Sequence, residues 1–372
     1  MSQNPFTLSA DLCYVNHAAV APWPVRTCEA VSRFAAENAL QGAKHYANWV
    51  KTEDALRAKL ARLVNAASTD DVALLKNTSE GLSVIAYGIR WHRGDKVVVP
   101  AQEFPSNRIV WESLARFGVT TELVDLAATA DPEQALIDAC DRRTRLLSVS
   151  TVQYANGFRL HTPLLGDFCR RHEILFCVDA IQSLGALAFD AQQSKADFVV
   201  ADGHKWMLGP EGLALFYSHP AAREQLHLTQ YGWHMLADAG NFDNPDWTVA
   251  TGARCFECGS PNMLGITALN ASLAVIEEQQ IEKIEQRVLQ LTTYLIDKIL
   301  QTDQLVLLTD TDPERRSGIV SVKHRRLDNQ SLFQILSKNN VVCAVRGGGI
   351  RISPHFYNTC AQLDYILDLI LH

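Results

Sequence analysis

No apolar stretch in these 372 residues approaches the length of a membrane span. No basic run stands against the formal net charge of −7, so a nucleic-acid footprint is excluded. The opening residues, Met1-Ser2-Gln3-Asn4-Pro5, lack a charged segment followed by an apolar one, and no signal peptide is expected. There is no internal repeat and no low-complexity linker. Nor does any Gly-x-Gly-x-x-Gly turn follow a strand pattern. Arg346-Gly347-Gly348-Gly349 does not supply one, which argues against a nicotinamide-binding sheet. Cysteine is not scarce, but its nine copies are odd in number and scattered, which fits reduced thiols in the cytoplasm better than a disulfide framework. Cys255-Phe256-Glu257-Cys258 is a single Cys-x-x-Cys without a second pair at ligand spacing, so no metal is expected.

What is present is ordinary globular composition, 47% apolar and 20% charged, in a chain long enough for two domains. Short apolar runs alternate with helical patterns. Strands are expected at 97–99, 146–149, 174–178, 198–201 and 213–217, with helices at 107–117 and 163–172. This alternation specifies a wound α/β fold, a predominantly parallel sheet with helices on both faces. The texture changes after about Gly259. One long helical region covers 264–301, followed by a strand at 318–322, a helix near 332–337, strands at 341–345 and 350–353, and an amphipathic segment at 360–371. Two domains are therefore expected: a large one at 17–258, and a smaller C-terminal α/β domain at 259–372 joined by residues 1–16, sharing an interface.

The most informative residue is Lys205, in Ala201-Asp202-Gly203-His204-Lys205-Trp206-Met207-Leu208-Gly209-Pro210, just past the apolar run 198–201. The preceding run, 174–178, ends in Asp179. Ligands of open α/β sheets bind beyond the carboxyl ends of the strands. A strand-end aspartate followed by a strand-end lysine suits pyridoxal phosphate. The amine condenses with the cofactor aldehyde, and the carboxylate keeps the pyridine nitrogen protonated. Taken singly, Asp179 reads as a helix N-cap and Lys205 as a solvated loop residue. Together, with His204 adjacent and Gly203 and Gly209 allowing tight turns, they read as a site. Partial desolvation or nearby cations would lower the lysine pKa, as a nucleophilic amine requires.

Lys76-Asn77-Thr78-Ser79-Glu80-Gly81 precedes a helical pattern, and a helix start with two hydroxyls can hold a phosphate. The plain alternative is a capping box of Asn77 with Glu80. Glu80 disfavours an anion unless it points away.

From Tyr14-Val15-Asn16-His17-Ala18-Ala19 to Arg351-Ile352-Ser353-Pro354-His355-Phe356-Tyr357-Asn358-Thr359, the chain resembles the class V aminotransferase family of fold-type I pyridoxal-phosphate enzymes, which includes cysteine desulfurases, selenocysteine lyases and isopenicillin N epimerase-like proteins. The most specific segment runs from Val178-Asp179-Ala180-Ile181-Gln182-Ser183-Leu184-Gly185 through His204-Lys205. The resemblance implies Lys205 as the lysine bonded to the cofactor and Asp179 as partner of the ring nitrogen. It implies Gln182 near the 3-oxygen, Thr78, Ser79 and His204 at the phosphate, and Phe104 stacked on the ring, for which core packing is the alternative. Gly259 and Ser260 resemble the segment that completes the neighbouring site, implying a homodimer. Arg351 resembles the clamp for the substrate α-carboxylate, a role the planar guanidinium fork suits. Asn16 and His17 fall at substrate-binding positions.

Three departures bear on function. Cysteine desulfurases carry a mobile loop with a nucleophilic cysteine before the clamp arginine. Here Val345-Arg346-Gly347-Gly348-Gly349-Ile350-Arg351 runs straight through, and Cys343 falls within an expected core strand. Asp202 stands where many relatives have serine, and a carboxylate there repels phosphate unless turned away or paired. Tyr154 stands near where desulfurases have asparagine, leaving Gln153, Tyr154 and Asn156 without assigned roles. The expectation is a pyridoxal-phosphate enzyme acting at the α-carbon of an amino acid, by amino transfer or C–S elimination, with desulfurase, selenocysteine lyase or epimerase chemistry as alternatives. A catalytically silent interaction subunit of the same fold is the non-enzyme alternative, and the joint presence of Lys205, Asp179 and Arg351 argues against it.

Overall fold

A computed structural model describes residues 4–243 and 245–371. Seven strands form the central sheet, in the order Val72–Leu75, Ala214–Ser218, Phe198–Asp202, Leu175–Asp179, Thr144–Ser150, Lys96–Pro100, Thr120–Val124. All run the same way except Ala214–Ser218, which is antiparallel to both its neighbours. The inner strands are apolar on both faces because both faces are covered. Val98, Phe176, Val178 and Val199 pack into one core, and Val97, Val99, Cys177 and Val200 into the other.

Four antiparallel strands form the second sheet, ordered Ala344–Arg346, Gly349–Ile352, Val320–His324, Leu305–Leu307. Val320, Val322, Ile350 and Ile352 join Leu295, Ile299, Leu363 and Ile366 in its core. The apolar run expected as one strand at 341–345 is divided at Cys343. Val341–Val342 pairs in parallel with Cys13–Tyr14, while Ala344–Arg346 turns into the four-stranded sheet. One short run thus serves two sheets.

The helical region expected at 264–301 is two helices, Met263–Gln279 and Ile281–Leu300, broken at Gln280, whose φ of 64° lies outside helical space. The first helix buries Ile266, Leu269, Leu273 and Ile276 in the core of the large sheet. The second still places Ile284 and Val288 there, then carries Leu291, Leu295 and Ile299 into the small core. The helix Ile281–Leu300 thus spans both cores, packing its first half on the large sheet and its second on the small one. The N-terminal segment joins the small core through Cys13 and Val15. Among the described residues no helix is long and apolar enough to cross a membrane.

Candidate active site

Register sets the floor of the site. The strands Leu175–Asp179 and Phe198–Asp202 are parallel neighbours, with Asp179 level with Val200. Asp179 closes its strand, and the chain after Asp202 turns at once to present Lys205. Leu208 N–H donates to Lys205 O at 3.0 Å and Gly209 N–H to Gly203 O at 2.8 Å. The left-handed residue of this turn is Leu208 (φ 62°), not either glycine. Gly203 and Gly209 instead permit close packing: a Cβ would lie 3.1 Å and 2.5 Å, respectively, from Leu269.

Lys205 and Asp179 line one cleft of about 300 Å³. Burial pushes the Lys205 amine down to about 8; Asp179 opposes this shift and Arg351 adds to it. Burial pushes the Asp179 carboxyl up to about 7, against the pull of the Ile181 N–H it accepts at 3.0 Å. An amine pushed down towards neutrality in the same cleft as a buried carboxyl marks a candidate reactive pair.

The helix Thr78–Gly88 enters the same cleft. Asn77 Oδ1 accepts from Glu80 N–H at 2.9 Å, and the Glu80 carboxylate turns back to accept from Lys76 N–H at 2.5 Å. The capping arrangement leaves the helix start open to an anion, because the acid turns back to Lys76 N–H. First-turn N–H groups have no intrahelical partners. Thr78 Oγ1 accepts from Asp202 N–H at 3.1 Å, and Ser79 Oγ donates to Ser106 Oγ at 2.8 Å. Asp202 Oδ1 lies 2.9 Å from His204 Nδ1, off the line of a hydrogen bond. Its carboxylate thus lies against the His204 ring.

Phe104 is 41% exposed and faces the cleft, with its ring centroid 5.5 Å from Lys205 Nζ and edge-on to Tyr154 at 5.3 Å. Core packing is excluded for it. Gln182 is fixed by donating from Nε2 to Ala18 O at 3.1 Å and accepting from Trp206 Nε1 at 3.0 Å. One amide hydrogen remains for a ligand.

Arg351 lies on the strand Gly349–Ile352 with its side chain in the cleft. Nη1 donates to Tyr154 O at 2.8 Å, and the buried Nε has no partner. Burial, then the charge of Arg346, pushes the guanidinium down to about 10. A buried, underpaired guanidinium is costly unless an anion joins it.

Asn16 and His17 lie behind the wall, where Ala18 and Ala19 line the cleft. His17 is fully buried, and its Nδ1–H must donate to the Ser353 carbonyl (2.9 Å), so Nε2 accepts from Tyr357 Oη–H (2.7 Å). Burial, then His355, holds it well below the usual histidine range. Gly259 and Ser260 are exposed and lie outside this chain's own cleft. Three contributors were not singled out from sequence: Ser106, Arg346 and Glu103. Glu103 is buried behind the floor and accepts from Ser150 N–H (2.6 Å), Ser150 Oγ–H and Gln153 Nε2–H (3.0 Å).

A larger cavity, about 880 Å³, is lined by Glu53, Arg57 and His234 among others. It contains no amine, and Arg57 is consumed by Glu53 at 2.8 Å and Glu257 at 2.5 Å. The Lys205 cleft is the candidate site. Its donor set fits pyridoxal phosphate: an amine, a carboxylate, an aromatic face and a hydroxyl-bearing helix start, with unpaired Arg351 Nε beside them.

The family model of the class-V aminotransferases matches residues 13–366. A probable cysteine desulfurase of Methanothermobacter thermautotrophicus is 28% identical, across 96% of this chain and 94% of that protein. A cysteine desulfurase of Salmonella typhimurium is 27% identical, across 96% and 92%. A cystine C–S lyase solved with its product cysteine persulfide superposes with a TM-score of 0.90 at 23% identity, covering 97% of this chain and 98% of that one, which establishes the shared fold. With a match over nearly the whole chain and a cleft whose residues fit the cofactor, the chain belongs to the class-V aminotransferase family of pyridoxal-phosphate enzymes.

Proposed function

We propose that this enzyme labilises a bond at the α-carbon of an amino acid, by amino transfer or by elimination of a sulfur substituent, without relaying sulfur through a loop cysteine. The observation that carries this is the joint presence in one cleft of the depressed Lys205 amine, buried Asp179 and underpaired Arg351. Bound there, pyridoxal phosphate supplies an aldehyde for the amine and a ring that accepts the electron pair released at the α-carbon. Thr78, Ser79 and His204 would hold its phosphate, Asp179 its ring nitrogen, Gln182 its 3-oxygen and Phe104 one face. Arg351 grips the substrate α-carboxylate through its free Nε and remaining N–H groups. Lys205, once its nitrogen is released, is the base for the α-proton. Gly259 and Ser260, exposed and outside their own cleft, are left to complete the site of a partner in a homodimer.

The carboxylate clamp is tested at Arg351. Arg351→Ala loses the charge and Arg351→Lys only the planar fork. The alanine variant is expected to lose roughly 2–4 kcal/mol of transition-state binding, about 30- to 1,000-fold in kcat/KM. Lysine should recover part of it, and amines lacking a carboxylate should lose far less. Equal losses on amines with and without the carboxylate would remove Arg351 from this role.

The sulfur route is tested at Cys343. The thiol is buried in the small core and pushed up to about 12 by that burial, a poor nucleophile near neutrality. Among the cleft-lining residues there is no cysteine. After incubation with cysteine, alkylation and mass spectrometry should find no stoichiometric persulfide on Cys343, and Cys343→Ala should keep its activity. A persulfide there, lost together with turnover in that variant, would restore the desulfurase mechanism.

A further inference from the structure

We propose that Arg346 selects substrates, so that the preferred amino acid carries a second anionic group beyond its α-carboxylate; this rests on the function proposed above. Arg346 and Arg351 occupy opposite arms of one hairpin. Its turn is Gly347-Gly348, both left-handed (φ 57° and 81°), so the arms are joined by two residues. In the register, Arg346 faces Gly349 and Ala344 faces Arg351. Side chains alternate between faces along a strand, so Arg346 and Arg351 are diagonal neighbours on the same face. Both line the cleft that holds Lys205.

Like charges on one face of a hairpin repel, and here nothing of the protein's own neutralises them. The recorded hydrogen bond of Arg346 goes to the carbonyl of Val345 at 2.8 Å, and that of Arg351 to the carbonyl of Tyr154. Among the described residues neither arginine has an ion pair. Arg26, Arg62, Arg143, Arg159 and Arg315 each meet a carboxylate, whereas Arg254, Arg287, Arg316 and Arg325 bond carbonyls or hydroxyls; what sets Arg346 and Arg351 apart is that they share one cleft. On the proposed function the cleft's lysine, Lys205, is committed to the cofactor. An α-carboxylate satisfies Arg351 and leaves one guanidinium at the mouth, exposed and reachable by the far end of the substrate. A second carboxylate or other anion is the ligand chemistry that fits it.

Isosteric pairs that differ only in charge isolate this effect. The holoenzyme is titrated with aspartate and asparagine, glutamate and glutamine, and S-carboxymethylcysteine and its amide, reading the visible spectrum of the bound cofactor and kcat/KM. The acid of at least one pair should be preferred by about 10-fold or more, as expected for one charge-assisted contact. Arg346→Gln should collapse that acid-to-amide ratio towards one, and Arg346→Lys should keep part of it. Arg351→Lys should lower both members of a pair and leave the ratio standing. A wild-type ratio near one with measurable turnover overturns this inference alone, as does a ratio that survives Arg346→Gln. Absence of any spectral response to all six, and to alanine and cysteine as well, sinks the amino-acid function and this inference with it.

Discussion

Replacing Lys205 with alanine is expected to cut turnover by at least about 10³-fold and to abolish the visible absorption of cofactor bonded to the protein. On the proposed function two roles disappear together: the nitrogen that carries the cofactor, and the base that takes the α-proton, which by itself contributes about 10²–10⁴. The fold should survive. Burial pushes the Lys205 amine down from 10.5 to about 8, so the protonated form is disfavoured in the folded chain. That cost is present below about pH 8 and relieved above it, and at neutral pH the alanine variant sheds it. Lys205→Arg keeps a charge and cannot bond the aldehyde, which separates electrostatics from chemistry. Absorbance, steady-state rates and circular dichroism on the three proteins decide the matter. Wild-type turnover in the alanine variant would remove Lys205 from the centre of the mechanism.

Asp179→Asn is expected to slow the α-carbon step by about 10²–10³-fold, the cost of losing one charge-stabilising group, while cofactor is retained. Asparagine can still accept from Ile181 N–H, so the local turn should persist. The cofactor-free protein should respond in the opposite sense. The Asp179 carboxyl is raised from 3.8 to about 7, chiefly by burial. A raised carboxyl contributes stability below its unfolded value, and that contribution is lost as pH rises through about 7. Above this window the folded chain carries a disfavoured buried anion, and near pH 9 the Lys205 amine is largely neutral and compensates little. The shift of roughly three pKa units sets a ceiling of about 4 kcal/mol on what asparagine restores there. Melting curves of the cofactor-free proteins should therefore show the variant above wild type at pH 9, and the gap closing towards pH 5. α-Proton exchange at wild-type rates, or a variant less stable at pH 9, would contradict the assignment.

The features legible in the sequence share one property: local pattern and chemistry coincide. Apolar runs ending in Asp179, or followed shortly by Lys205, announce strands that deliver charge to a sheet edge. The hydroxyls after Asn77 announce a helix start. Features that depend on the packing of distant segments were not legible. Gln280 has no breaker chemistry, so its left-handed conformation and the division of the helical region came only with the structure. Nothing near Cys343 shows that one apolar run is split between two sheets. His17 matched a cleft position, yet its neighbours Ser353 and Tyr357 arrive from the far end of the chain and enclose it. Arg346 passed as part of a glycine turn, because only the hairpin register puts it on the face of Arg351. Ser106 and Glu103 stand close to Phe104 in sequence, but their partners Ser79 and Ser150 come from other elements.

The hairpin from Ala344 to Ile352 has a consequence for descent. Lys205, Asp179 and the helix at Thr78 belong to the large sheet, whereas the two guanidiniums ride on nine residues of the small one. On the proposed roles, mutations in that short stretch can change which molecules are admitted without disturbing the residues proposed to hold the cofactor. Its two-residue glycine turn is also a tolerant point for added length, since closing a longer loop there costs little. A lineage with this layout can acquire new substrates by drift in a few codons while its reactive centre stays fixed, and a breeder of enzymes could do the same with a library confined to one hairpin.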